Sequence, residues 1–162
     1  MPPSAQRLID LIHDSLTPDL LDKKLLSGWS PANPLYGHCY VATESLWWLL
    51  RYYYSDAPTE PRHGKDGHGV THWWLVTRDG EILDPTEEQY TSVGEVPPYD
   101  AVVAGGGFQS NKKYVEPSCR SRILIERVAA HLGEAPALWT RTKPPVAKRP
   151  FTPKRLRSPR SA

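Results

Sequence analysis

The sequence predicts an α+β domain with a basic tail, and three observations carry that expectation. Apolar residues recur at helical spacing through Cys39, Ala42, Leu46, Leu49, Leu50 and Tyr53, and again through Ile123, Leu124, Val128 and Leu132. Between them, residues 70–77 form a β-branched and aromatic run that meets Ile82-Leu83-Asp84 across Arg78-Asp79-Gly80-Glu81, a hairpin signal with Asp-Gly at its bend. Beyond residue 140 the composition changes, and residues 141–162 hold eight Lys or Arg, five prolines and no acid.

At 162 residues the chain has the length for one domain with a sizeable core, placed at 1–140, followed by the tail at 141–162. Six Trp and eight Tyr against two Phe and one Met mean that amphipathic aromatics share the core with Leu, Ile and Val. The net charge of +2 conceals a polarity: with eight of the 20 bases in the tail, residues 1–140 hold 12 bases against 18 acids, a net of −6. A segment rich in Pro and cations and poor in apolar groups does not repay its ordering entropy, so the tail is expected to be disordered. It suits weak, sequence-independent contact with nucleic-acid phosphates, or equally a solubilising tether lying on the acidic body. Met1-Pro2-Pro3-Ser4 runs directly into Arg7 and Asp10, and no apolar run approaches a membrane span. The expectation is a cytoplasmic protein without a membrane partner, whose two cysteines, Cys39 and Cys119, stay reduced.

Ser4 is placed to cap a first helix through Leu8, Ile9, Leu11 and Ile12. Thr17-Pro18-Asp19 reads as cap, first-turn proline and first-turn acid of a second short helix through Leu20, Leu21, Leu25 and Leu26. Residues 27–36, rich in Pro, Ser, Asn and Gly, read as loop. The next apolar stripe begins with Cys39, which puts the thiol in the first turn of a buried helix. Unpaired N–H groups and the positive end of a helix dipole favour thiolate over thiol and serve a developing oxyanion. A free cysteine is also a common small core residue.

His72 and Asp84 stand on the two arms of the hairpin, with the register open. A thiol, an imidazole and a carboxylate in the order Cys39, His72, Asp84 suit a nucleophile, its general base and the acid that orients the base. Each has a bland reading alone: a hydrogen-bonded strand histidine, or an aspartate that starts the Asp84-Pro85-Thr86 turn. Trp73 and Trp74, next along the strand, are expected to flank the site, one on each face of the sheet.

Here the residues form a pattern. Gly37-x-Cys39-x-x-Ala42 on a helix, His72-x-Trp74 on a strand and Leu83-Asp84-Pro85-Thr86 after a hairpin resemble the core of the transglutaminase-like branch of the papain-like thiol enzymes. In that superfamily a Cys-bearing helix packs on an antiparallel sheet that carries the His and Asp. The resemblance covers residues 36–90, about a third of the chain, and implies Cys39 as nucleophile, His72 as base and acid, and Asp84 as the orienting carboxylate. More narrowly, Tyr36-Gly37-His38-Cys39-Tyr40-Val41-Ala42, Thr71-His72-Trp73-Trp74 and Asp84-Pro85-Thr86-x-x-Gln89-Tyr90 resemble small uncharacterised proteins of tailed bacteriophages and their hosts. The chain departs from the transglutaminase pattern in lacking an acidic calcium-binding loop and a separate substrate domain, which argues against protein crosslinking.

Four further residues are candidates for contact with substrate: His38, for which a helix-start hydrogen bond is an equal reading, Trp73, Trp74, and Gln89, which could bond Asp84 instead or simply lie on the surface. His63, His68 and His72 with His38 or Cys39 match no compact zinc spacing, and a solvated loop accounts for His63 and His68, so no metal and no cofactor is expected. Gly105-Gly106-Gly107 lacks the Lys-Ser or Lys-Thr of a phosphate loop and reads as a flexible loop or lid. The function expected is acyl transfer through a Cys39 acyl-enzyme, resolved by water, on a peptide, isopeptide or small acyl compound. The rival is a non-catalytic module of a phage or bacterial host that uses the same fold and the basic tail to engage nucleic acid or a host protein.

Overall fold

Ser4 starts the first helix as expected: its side-chain oxygen accepts the Arg7 N–H, and α1 (Ala5–Ser15) buries Leu8, Ile9, Leu11 and Ile12 on one face. The computed structural model describes residues 1–54, 59–103, 107–108 and 116–134, so the basic tail and Gly105-Gly106 lie outside the described residues. The second helix is instead two 3-10 turns, Pro18–Leu20 and Lys23–Gly28. Thr17 makes no capping bond, Leu21 is extended, and Asp22 restarts the chain by accepting from the Lys24 N–H. This break turns Leu20 and Leu21 inward and leaves Leu26 exposed, which a continuous helix would not.

The helix α2 (Cys39–Tyr53) is buried on nearly every side, from Cys39 and Val41 through Leu50, as a central helix must be. Helices α1 and α4 (Cys119–His131) pack on it from one direction and the sheet from the other. Strands β1 (Thr59–Lys65), β2 (Thr71–Thr77) and β3 (Ile82–Leu83) form an antiparallel sheet in the order β1-β2-β3, and the short helix α3 (Glu88–Thr91) follows. The chain is thus an α+β fold.

The hairpin forms with Leu75 opposite Leu83 and Val76 opposite Ile82, and the Thr77 N–H closes the bend on the Glu81 carbonyl. Strand β1 corrects the solvated-loop reading of His63, whose ring lies 4.5 Å from that of Trp73 within the β1–β2 pairing. Its sequence, Thr-Glu-Pro-Arg-His-Gly-Lys, shows no apolar alternation, and Pro61 is tolerable only because the strand is an edge. Gly64 lets Ala101 pass close by: a Cβ there would sit 2.4 Å from the Ala101 carbonyl oxygen.

Leu124 and Val128 of α4 face the core as expected, but Ile123 is exposed, and Ile125 and Ala129 complete the buried face. The start of α4 is tied to α2 by Glu44, which is fully buried. Its Oε1 accepts the Ser118 N–H at 3.2 Å, and its Oε2 accepts the hydroxyls of Ser118 at 2.5 Å and Ser121 at 2.6 Å. Arg127 and Arg120 fasten the same helix to the carbonyls of Ser15 and Leu20. Among the described residues no helix is long and apolar enough to cross a membrane.

Candidate active site

Two side-chain anchors set α2 against β2. Cys39 donates from Sγ to the Thr71 carbonyl at 3.6 Å, and Thr43 donates from Oγ1 to the Trp73 carbonyl at 3.0 Å. Four helical residues advance about 6 Å and two strand residues about 6.7 Å, so the two repeats match over this stretch. His72, between the two carbonyls, is thereby carried alongside the first turn of α2. Gly37 makes the entry into that turn possible, since its φ of +75° is one that side-chain-bearing residues rarely adopt.

The hairpin brings in the carboxylate. Extending the Leu75–Leu83 register by one pair sets Asp84 opposite Trp74, on the face of the sheet that carries His72 and diagonal to it. His72 Nε2 lies 2.6 Å from Asp84 Oδ2. Asp84 accepts from the Thr86 N–H at 2.9 Å through Oδ1 and from the Tyr99 hydroxyl at 2.8 Å through Oδ2. An ionised carboxylate only accepts, so the ring nitrogen facing it carries a proton and donates, which leaves Nδ1 as the ring's other nitrogen.

His72 is 0% exposed. Burial alone pushes its pKa down, but the hydrogen-bonded Asp84 carboxylate and the charge of Cys39 once that thiol ionises outweigh burial and raise it above the ordinary value. The Trp74 ring stacks at 5.9 Å from the imidazole and Tyr90 meets it in a T-shaped contact at 4.9 Å, so two aromatic neighbours hold the ring. Gln89 approaches from α3, its Nε2 2.9 Å from His72 Nδ1.

Cys39, His72, Asp84 and Gln89 therefore converge. Beside them opens a cleft of about 280 Å³, whose walls include Leu25, Tyr36, Val70 and Val93 as well as Cys39 and Gln89. His38, Trp73 and Trp74, expected to touch substrate, do not line it. His38 is wholly buried and bonds through Nε2 to the Thr17 carbonyl at 3.0 Å, pinning the 3-10 segment to the start of α2. Trp74 lies buried beneath His72, and Trp73 packs on the opposite face against Tyr40, His63 and Phe108. Cys119 is free and exposed. Among the described residues no group of three or more His, Cys, Asp or Glu is gathered to hold a metal ion.

No protein-family model, curated protein or solved structure matches this chain.

Two contributors were not foreseen. Thr86 was readable in principle, since Asp-x-Thr is a side-chain-stabilised turn that fixes the carboxylate it begins with. Tyr99 carried no signal: it follows Pro97-Pro98 and reaches Asp84 only through the folded chain. Burial and the Asp84 charge keep its hydroxyl protonated. Tyr99→Phe removes one donor to a buried carboxylate, and urea unfolding should show a loss of about 1.5 kcal/mol.

His38 sets an acid limit on stability. Burial holds its pKa below the ordinary value, although the Thr17 carbonyl opposes this. The unfolded chain takes up a proton on His38 near pH 6.5 while the folded chain does not, so stability is full above that pH and falls beneath it. Thermal melts of the parent and His38→Gln between pH 7.5 and pH 5.5 should show a steeper acid loss in the parent.

Proposed function

We propose that this chain is a thiol-dependent acyl-transfer enzyme with a transglutaminase-like, papain-like core, which hydrolyses amide or isopeptide bonds through an acyl group carried on Cys39. The observation that carries this reading is the buried His72 imidazole, held by Asp84 at Nε2 and carried beside the Cys39 thiol by the Thr71 and Trp73 anchors of α2 on β2. Burial by itself would favour a neutral, structural histidine; a carboxylate 2.6 Å away that steadies an imidazolium is the arrangement a general base needs.

In the proposed reaction His72 Nδ1 takes the Cys39 proton, and Sγ attacks the substrate carbonyl carbon. The first-turn N–H groups of α2, which have no acceptor within the helix, face the oxyanion that forms. His72 returns the proton to the leaving nitrogen as the C–N bond breaks. Water, deprotonated by His72, then attacks the thioester carbonyl, the C–S bond breaks, and His72 returns the proton to Cys39 Sγ as the carboxylic acid leaves. Water requires no second binding site, which favours hydrolysis over transfer to an amine.

Mixing the full chain with p-nitrophenyl acetate and mapping the acetyl group by mass tests the reading. Acetylation at Cys39 ahead of the exposed Cys119, followed by loss of the group to water, is expected. Equal and slow modification of both cysteines would leave the non-catalytic binding module as the better account.

A further inference from the structure

Gln89 occupies the one nitrogen of His72 that the proposed chemistry needs. Its Nε2 lies 2.9 Å from Nδ1 and 3.2 Å from Thr86 Oγ1. A side-chain amide NH2 only donates, so Nδ1 accepts, and the ring in this contact is the neutral tautomer with its proton on Nε2 toward Asp84. An imidazolium has no lone pair at Nδ1. The Gln89 bond and a thiolate–imidazolium pair therefore exclude each other. The thiol is consistent with the neutral state, since its hydrogen bond runs to the Thr71 carbonyl, which accepts only from a protonated sulfur. Gln89 also borders the cleft that Cys39 opens into.

We propose that Gln89 is a substrate-released latch on His72: in the empty cleft its amide holds Nδ1 neutral and Cys39 as the thiol, and the carbonyl oxygen of an entering acyl substrate takes over the amide N–H and frees Nδ1. This rests on the Cys39–His72–Asp84 reading. The exchange balances, because one N–H···N bond breaks, one N–H···O bond forms, and a proton moves from Sγ to Nδ1 with no net change in charge. The groups that face the ring are Cys39 from α2, Asp84 after β3 and Tyr90 from α3, whose hydroxyl is committed to Asp66; Tyr99 acts through Asp84. Asp84 and Cys39 draw the ring toward imidazolium, and Gln89 is the neighbour that opposes them. The latch selects for planar carbonyl substrates and keeps the sulfur a thiol, the less readily oxidised form, until one is bound.

The test is the pH profile of Cys39 alkylation by iodoacetamide in the full chain, with Cys119 as internal reference. Gln89→Leu removes the donor, and Gln89→Asn is too short to reach Nδ1. Each should raise Cys39 labelling at pH 6–7 about fivefold, the worth of one net hydrogen bond of about 1 kcal/mol. The gain should vanish when His72→Ala is added, which a merely structural role for Gln89 does not predict. In the unaltered chain at pH 7, the His72 15N signals should show a proton on Nε2 alone. If labelling depends on His72 but neither Gln89 variant exceeds the parent, or if both ring nitrogens are protonated in the resting chain, the latch is overturned and the triad reading stands. If parent labelling is indifferent to His72, both fall together.

Discussion

With p-nitrophenyl acetate in excess, His72→Ala will acylate Cys39 at least about a hundredfold more slowly than the parent, the lower range of what a positioned general base contributes. The size of the effect follows from the site. The imidazole is buried and oriented by a 2.6 Å contact with Asp84, and the Asp84 carboxylate is itself fixed by Thr86 and Tyr99. Alanine removes the ring that, among the described residues, is positioned to take the sulfur's proton, and the α2 first turn remains to receive the oxyanion. Nitrophenolate release followed by stopped flow gives the rate. A melting curve close to that of the parent separates loss of the base from loss of the fold.

Glu44→Ala will lower the free energy of unfolding by about 3 kcal/mol. Glu44 is fully buried and accepts from one backbone N–H and two hydroxyls at the N-terminus of α4. Removing the carboxylate strands these donors away from water and leaves the positive end of α4 without its anion. Glu44→Gln keeps one acceptor oxygen, so it should cost less than half as much. Urea unfolding of the three chains at pH 7 gives the comparison, and equal stability of Glu44→Ala and the parent would mean the network contributes little.

What the sequence made legible and what it hid differ in physical kind. The α2 stripe and the Asp79-Gly80 hairpin were readable because each is a local pattern, and together they brought Cys39, His72 and Asp84 into plausible reach. The diagonal placement of Asp84 was not readable, since it depends on a register fixed by Leu75 meeting Leu83. Strand β1 was hidden because its residues are polar and interrupted by Pro61, and it is a strand through its backbone pairing with β2 rather than through its side chains. His38 was open between the cleft and a helix-start hydrogen bond; neighbours at a helix start diverge by about 100°, and its ring turns into the core onto the Thr17 carbonyl. Tyr99 and the Glu44–Ser118 contact are long-range, and no spacing along the chain announces them.

The most direct test of the central claim is the rate of iodoacetamide labelling at Cys39 against pH, in the parent and in His72→Ala, with Cys119 read in the same sample. The account predicts that Cys39 outpaces Cys119 below the pH range, about 8.5, in which an ordinary thiol reacts, by a margin that the Gln89 bond holds to about a fifth of its released value, and that this margin is lost in His72→Ala. Labelling of Cys39 that follows Cys119 across the whole range and ignores His72 would contradict it.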